Sequence, residues 1–183
     1  MESEVKIGEI VAYLLQPGRA MDEGVDAFEA MDSIDGSASE CVEALLDPEA
    51  DHWQASVEEM YSHDIPGLDV LYIDRIELEP ARRGKGIGAQ VVRSLIATFG
   101  SSCGLVACKP FALQYLNWES PDNEPTRKAP GFEAKRLADF GKVEAFWPKL
   151  GFRKLPKSNV YTLAPQLREQ SLPDAEKGRV RIN

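Results

Sequence analysis

The sequence has few of the residues that crosslink a chain or anchor it in a membrane. Its three cysteines, Cys41, Cys103 and Cys108, form no C-x-x-C pair and cannot all be bridged, which favours a reducing compartment. No apolar run approaches the length that spans a bilayer, and the acidic start of the chain is unlike a secretory signal. We therefore expect a cytoplasmic protein without a membrane partner.

Histidine is almost absent. His52 and His63 each lie beside an aspartate, but no cysteine or third histidine stands at ligand spacing. We therefore predict no metal site.

Basic residues are outnumbered and unevenly distributed. The chain has 21 Lys and Arg against 30 Asp and Glu, which disfavours nucleic acid as the main partner, because phosphate contacts dominate such binding. Residues 1–79 hold 21 acidic and three basic residues, whereas residues 80–183 hold nine acidic and 18 basic. A polyanionic cofactor would be drawn to the second half and a cationic amine to the first. The alternative is that the two halves attract each other within the fold.

The remaining composition is that of a soluble globular protein, with 43% hydrophobic and 28% charged residues. The length fits one domain, residues 1–165, followed by a polar tail, residues 166–183. Residues 7–15 are predicted to form an early strand. Apolar spacing predicts helices at 25–31 and 37–46, the second of them starting at a capping box, and a less regular pattern around Val57 also fits a helix.

Residues 70–100 are predicted to form a strand, a loop and a helix. In residues 71–78 the β-branched Ile73 and Ile76 are interleaved with charged residues, as in a partly buried strand. After the loop, apolar residues recur every four positions and predict a helix with one apolar face: Ile87, Val91, Leu95 and Phe99. Residues 104–108 then form a second strand, and its parallel pairing with the first would complete a β-α-β unit.

The loop combines three glycines with three basic side chains: Arg82, Arg83, Gly84, Lys85, Gly86 and Gly88. Glycine lets a ligand approach the backbone, and the start of a helix presents unpaired N–H groups at the positive end of its dipole. This loop is therefore predicted to bind a phosphate or pyrophosphate. The alternative is a glycine-rich turn with solvated basic residues.

Two other phosphate-binding motifs fail. A P-loop has Ser or Thr directly after its lysine, whereas Gly86 follows Lys85. Residues 84–89 match a dinucleotide fingerprint, but no acidic residue occurs from Pro80 through Trp118, where the ribose-binding carboxylate should lie.

The loop resembles a signature of the GNAT superfamily of acyl-CoA-dependent N-acetyltransferases. Residues 83–88 fit the family pattern [Q/R]-x-x-G-x-[G/A], and residues 146–152 are similar to a second signature, an aromatic residue followed by Leu-Gly-Phe. The resemblance covers residues 70–163. It implies an α/β (α+β) class and a GNAT fold, in which a central mixed sheet carries the strand-loop-helix acyl-CoA motif and flanking helices wall the acceptor site.

This resemblance implies direct transfer of an acetyl (acyl) group from acetyl-CoA to a primary amine of an unidentified small molecule or protein. By the same resemblance, the strand backbone would hold the pantetheine arm of coenzyme A through Ile76, Glu77 and Leu78. The loop amides would hold the pyrophosphate: Arg83, Gly84, Lys85, Gly86, Ile87 and Gly88. A homodimer is left open.

The resemblance also implies a general base. In the family, a side chain nine or eleven positions before the signature Arg, or a water that it holds, takes the proton of the amine. Those positions are Asp74 and Tyr72, which strict alternation would place on one face of the strand. We predict Asp74 as the base; a structural ion pair with Arg75 or Arg93 is the alternative.

Two residues depart from the family pattern. Trp147 stands where many members have a tyrosine that protonates the departing thiolate, and indole does not supply a proton near neutral pH. We therefore expect Trp147 to donate a hydrogen bond or to pack on the pantetheine, with water or Tyr161 completing the protonation. Phe140 stands seven residues earlier, in place of a common Asn.

These departures motivate a second hypothesis, a GNAT-fold sensor or scaffold that binds acyl-CoA without turnover. A toxin that acetylates aminoacyl-tRNA is disfavoured by the acidic charge.

Residues 110–135 are polar and proline-rich, and they are long for a connection in a compact domain. They are predicted to form either a lid over the acceptor site or a surface excursion held by its aromatic residues. A helix at 134–150 and strands at 152–155 and 160–163 follow.

Overall fold

The computed structural model describes residues 6–33, 36–47, 51–62, 64–116 and 119–167. Within these ranges the strands are β1 (Gly8–Leu15), β2 (Val70–Leu78), β3 (Leu105–Cys108), β4 (Arg153–Lys154) and β5 (Tyr161–Leu163). The helices are α1 (Pro17–Asp22), α2 (Ala27–Asp32), α3 (Gly36–Leu45), α4 (Ala55–Tyr61), α5 (Ile87–Phe99), α6 (Glu124–Arg127) and α7 (Phe132–Glu144). None of these helices has both the length and the apolar character needed to span a bilayer.

The five strands form one mixed sheet in the order β1-β2-β3-β5-β4. β2 and β3 pair in parallel and are connected by α5, whereas the other neighbouring strands pair antiparallel. The predicted β-α-β unit is therefore confirmed, as are the early strand and the two late strands. The protein has a mixed α/β architecture.

Side-chain alternation along the central strands divides the core into two layers. On one side, Val70 and Tyr72 of β2 pack with buried residues of α3 and α4. On the other side, Leu71 and Ile73 pack with α5 and with the segment that contains Trp147. Each fully buried apolar side chain stabilises the fold by roughly 1.5–3 kcal/mol relative to exposure, so both faces of the sheet are fixed by packing.

A buried hydrogen bond links α4 to β5. The Tyr61 hydroxyl lies 2.8 Å from Thr162 Oγ1, and Thr162 is fully buried. We expect Thr162→Val to lower the free energy of unfolding by about 1–3 kcal/mol, because the Tyr61 hydroxyl would lose this partner inside the core. Urea denaturation measures the loss. Thr98→Val, at an exposed position of α5, is the control, and an equal loss in both variants would contradict this expectation.

The structure corrects several predicted helix boundaries. The helix predicted for residues 134–150 ends at Glu144, and a 3-10 turn, Pro148–Leu150, follows, because Pro148 has no N–H with which to continue the helical ladder. Helix α3 begins at Gly36, so the predicted capping residue Ser37 lies inside the helix.

The first helices are short. α1 was not predicted, although its Pro17 at the first turn suits a helix start. The helix predicted for 25–31 is α2, where the carboxylate of Asp26 accepts the N–H groups of Phe28 and Glu29. The helix expected around Val57 is α4. His63 and residues 168–183 of the predicted tail lie outside the described residues.

Candidate active site

The basic glycine loop joins β2 to α5. After a 3-10 turn at Pro80–Arg82, Gly84 and Gly86 take φ angles of 71° and 77°, a left-handed conformation that glycine adopts without strain. Gly86 is the N-cap of α5, and the first helical hydrogen bond runs from the Gln90 N–H to the Gly86 carbonyl, at 3.1 Å. The N–H groups of the first three helical residues precede that bond. They lie at the positive end of the helix dipole, where they are suited to bind an anion.

The conformation of Gly86 can be tested with two glycine-to-alanine substitutions that should change stability in opposite directions. We expect Gly86→Ala to lower the free energy of unfolding by about 1 kcal/mol, because alanine resists the left-handed conformation even where space is open. Gly141→Ala, inside α7 and also in open space, should instead raise it by about 0.5–1 kcal/mol. Urea denaturation of both variants measures the two changes. Two changes of the same sign would contradict the left-handed conformation of Gly86.

Arg83 connects the loop to the end of β2. Its Nε–H donates a hydrogen bond of 2.8 Å to the Leu78 carbonyl. This bond holds the guanidinium beside the last residue of the strand and leaves further N–H groups for an anion. Arg82 and Lys85 are exposed in the same loop.

β2 separates from β3 halfway along its length. The parallel pairing ends with Ile73 opposite Cys108, whereas β2 continues to Leu78. β3 is followed by Lys109 and Pro110, and proline offers no N–H to a ladder. Residues 75–78 of β2 are therefore paired on the β1 side only, and the edge of residues 74–78 that faces away from β1 is open.

Asp74 is the extra residue of a β-bulge. The register with β1 passes from Arg75 opposite Val11 to Ile73 opposite Ala12, which leaves Asp74 without an opposing residue. The bulge breaks the alternation of β2, since Ile73 and Ile76 lie three positions apart and yet pack in the same cluster.

Tyr72 lies on the other side of the sheet. It is 1% exposed, belongs to the core layer beneath α3 and α4, and stacks on Tyr13 with ring centroids 6.4 Å apart. Tyr72 does not line the cavity described next, whereas Asp74 is half-buried in its wall. Asp74 is therefore the better placed of the two predicted bases.

A cavity of about 540 Å³ occupies the gap between β2 and β3. Its lining residues come from the open edge of β2, the loop, the end of β3 and α7 with the turn that follows. They are Ile73, Asp74, Arg75, Ile76, Glu77, Leu78, Arg83, Gly88, Cys108, Lys109, Pro110, Phe111, Leu113, Gln114, Lys142, Val143, Phe146 and Trp147.

The cavity thus gathers most of the predicted site residues. Those that line it are Asp74, Ile76, Glu77, Leu78, Arg83, Gly88 and Trp147. Gly84, Lys85, Gly86 and Ile87 are not in its wall but belong to the loop that adjoins Arg83. Arg93 is exposed on α5 and does not line the cavity.

Trp147 closes the cavity from the side of α7. Its ring packs edge-on against Phe146 and Phe152, with centroids 5.2 Å and 5.0 Å away, and the residue is 6% exposed. The buried indole Nε1–H has no acceptor among the described residues. Such a donor is costly to leave unpaired, but the nitrogen is shielded from solvent, so the contribution of Trp147 to the cavity is its apolar ring.

Phe140 fixes the residues that follow β3. Its ring packs against Phe111 at 5.2 Å and against Tyr115 at 5.9 Å. The Tyr115 hydroxyl also donates to Asp139 at 3.0 Å, and the hydrogen bonds that Asp139 accepts from Lys142 and from Tyr115 lower the pKa of its carboxyl group. Phe111 and Tyr115 therefore attach the segment that follows β3 to α7, and Pro110, Phe111, Leu113 and Gln114 form part of the cavity wall.

Cys108 lines the cavity but is unsuited to covalent catalysis. Burial raises the pKa of its thiol well above the usual value, so little thiolate exists near neutral pH. The site thus favours chemistry that passes through no Cys108 thioester.

Several residues that line the cavity were not predicted from the sequence. Lys109 and Phe111 follow the carboxyl end of a parallel strand, which is a common ligand position in α/β proteins and could have been recognised. Lys109 also forms an ion pair with Glu40 of α3. Lys142 and Val143 had no local signal, because their place in the wall depends on how α7 packs.

Comparisons of the chain with protein-family models, with curated proteins and with solved structures gave no match. Function is therefore inferred from the residues and geometry of this cavity.

Proposed function

We propose that the protein is an acyl-CoA-dependent N-acetyltransferase with a GNAT-type fold, which transfers an acetyl group from acetyl-CoA to an amine. One observation carries the proposal: a single cavity connects an open strand edge that carries Asp74 with a basic loop at a helix N-terminus. An open edge suits an extended ligand with amide groups, and the loop suits a pyrophosphate. Coenzyme A has both parts.

The dimensions of the edge support this ligand. Asp74 to Leu78 spans four residue steps, roughly 13 Å at about 3.3 Å per residue. Arg83, which is bonded to the Leu78 carbonyl, marks the anionic end. An acyl group at the other end would then lie beside Asp74 and Trp147. Phe146, Val143 and the Trp147 ring supply an apolar wall between these ends.

The proposed chemistry is a direct displacement. Asp74, or a water that it holds, takes a proton from the ammonium group of the acceptor. The amine nitrogen then attacks the acetyl carbonyl carbon, a C–N bond forms and the C–S bond breaks. Backbone N–H groups of the open edge would stabilise the negative charge that develops on the carbonyl oxygen. The nitrogen loses its second proton as the C–S bond breaks, and this proton passes through water to the thiolate of coenzyme A, because Trp147 cannot supply one.

Tyr161 is a poor alternative acid. It is 5% exposed, packs in the core layer beneath α5 and does not line the cavity. Burial raises the pKa of its phenol, which further weakens it as a proton donor.

One feature favours a second candidate, an acyl-CoA sensor or scaffold without turnover. No tyrosine is among the residues that line the cavity, so the described wall offers no phenolic acid. A sensor would need the basic glycine loop and the open edge of β2 to bind acyl-CoA, but it would not need Asp74.

The two candidates differ in the release of coenzyme A. Wild-type protein is incubated with acetyl-CoA and a panel of amines, and free thiol is followed over many turnovers. An acetyltransferase gives steady release that depends on the amine, whereas tight acetyl-CoA binding without release supports the sensor. Failure to bind acetyl-CoA would exclude both.

A further inference from the structure

A second cavity, of about 380 Å³, adjoins the first. The two cavities share four lining residues, Arg75, Glu77, Leu113 and Gln114. A ligand in the smaller cavity would therefore contact the strand segment that carries Asp74. Its volume lies in the range of small-molecule pockets.

Arg75 is a half-buried cation at the junction of the two cavities. In the described part of the chain its side chain has no hydrogen bond or ion-pair partner, although it interacts at longer range with the exposed Glu9 on β1. A partly desolvated guanidinium without a hydrogen-bonded carboxylate is unfavourable. Its planar N–H groups match a carboxylate in two-point geometry.

The rest of the smaller cavity fits a molecule with one anionic and one apolar part. Arg127 adds a second guanidinium to the wall, and Asn123 and Thr126 add polar groups. The apolar part of the wall is formed by Leu113, Leu116, Tyr115 and Phe132. Glu77, the acidic residue in this wall, lies on the side shared with the larger cavity and can attract an ammonium group.

We propose that the smaller cavity binds the acceptor and selects amines that also carry a carboxylate, of the chemical type of an apolar or aromatic amino acid. This inference rests on the proposed function and names its substrate class. The carboxylate pairs with Arg75 while the ammonium group faces Glu77 and Asp74. The transfer then forms the amide C–N bond and breaks the C–S bond; the nitrogen loses one proton to Asp74 and a second, through water, to the departing thiolate of coenzyme A. The products are an N-acetyl amino acid and coenzyme A.

This substrate class differs from the simple cationic amine that the charge distribution suggested. The acidic first half of the chain would attract any cation at long range. At the cavity, however, Arg75 would attract the carboxylate of an amino acid, which a simple amine lacks.

The test compares acceptors that differ only in the carboxylate. L-phenylalanine and 2-phenylethylamine are one such pair, and L-leucine and 3-methylbutylamine are another. Acetyl-CoA binding is measured first by calorimetry, and coenzyme A release then gives kcat/KM for each amine. We expect kcat/KM for the amino acids to exceed that for the matched amines by about tenfold or more, as one charge-assisted hydrogen-bond pair predicts.

Arg75→Met provides the second arm. It should lower the ratio of kcat/KM for an amino acid to kcat/KM for its matched amine by about tenfold or more, a ratio in which any general effect on acetyl-CoA binding cancels. Arg75→Lys should restore part of the loss, because it keeps the charge. Unchanged acetyl-CoA binding would also show that the variants fold. If the variants do not fold, the wild-type comparison of matched amines alone decides whether the acceptor proposal holds.

The failures are distinguishable. If acetyl-CoA binds but no amino acid is acetylated faster than its matched amine, the acceptor proposal is overturned while acyl-CoA binding stands. Weaker acetyl-CoA binding in Arg75→Met, with no change of preference, would assign Arg75 to the coenzyme and overturn it as well. Absence of acetyl-CoA binding to wild type overturns both this inference and the proposed function.

Discussion

Reversing the charge of Arg83 is expected to weaken acetyl-CoA binding by about a hundredfold. The Arg83 guanidinium is held at the end of β2 by its bond to the Leu78 carbonyl and lies beside the N-terminus of α5. Arg83→Glu would remove a charge-assisted contact and place a carboxylate next to the pyrophosphate. Together these changes cost about 3 kcal/mol, which corresponds to about a hundredfold in Kd. Calorimetric titration of acetyl-CoA measures the effect.

Arg93→Glu is the matched control for Arg83→Glu. It changes the net charge by the same amount, but Arg93 is exposed on α5 and does not line the cavity. Its Kd should stay within about threefold of wild type at 0.15 M salt, because distant surface charges are screened. Equal weakening in both variants would mean that net charge, rather than the position of Arg83, controls binding.

Removing the proposed base should slow turnover strongly and spare acetyl-CoA binding. Asp74→Asn keeps the size of the side chain but cannot accept a proton from an ammonium group. We expect kcat to fall by about 10²- to 10⁴-fold, the usual contribution of a general base, while the Kd of acetyl-CoA stays within about twofold. Coenzyme A release and calorimetry measure the two quantities.

Asp64→Asn is the control for the base assignment, since Asp64 is exposed and does not line the cavity; its kcat should equal that of wild type. Full activity of Asp74→Asn would remove Asp74 from the mechanism. A loss that higher pH restores would indicate that the variant reacts with amine already deprotonated in solution, as expected for a missing base.

The local parts of the site were predictable from the sequence. The strand, the glycine loop and α5 are each specified by residues close together in the chain: alternating Ile73 and Ile76, left-handed Gly84 and Gly86, and the four-residue spacing of α5. The anion-binding position follows from these elements alone, because it needs only a helix start and glycines before it.

The opening of the sheet was not predictable in the same way. The bulge at Asp74 is defined by its register with β1, more than 60 positions earlier, and strict alternation therefore misplaced Tyr72. The divergence of β2 and β3 had one local signal, Pro110, whose consequence depends on the parallel pairing. The smaller cavity depends on the aromatic contacts of Phe140, which hold Phe111 and Tyr115 against α7.

Amide hydrogen exchange with and without acetyl-CoA would test the position of the ligand most directly. If the open edge of β2 and the start of α5 bind acetyl-CoA, exchange should slow at the amides of residues 74–78 that do not bond β1 and at those of residues 83–89. The amides of α3 and α4, on the opposite face of the sheet, should change little. Binding that protects other segments and leaves residues 74–78 and 83–89 unchanged would contradict the proposed site.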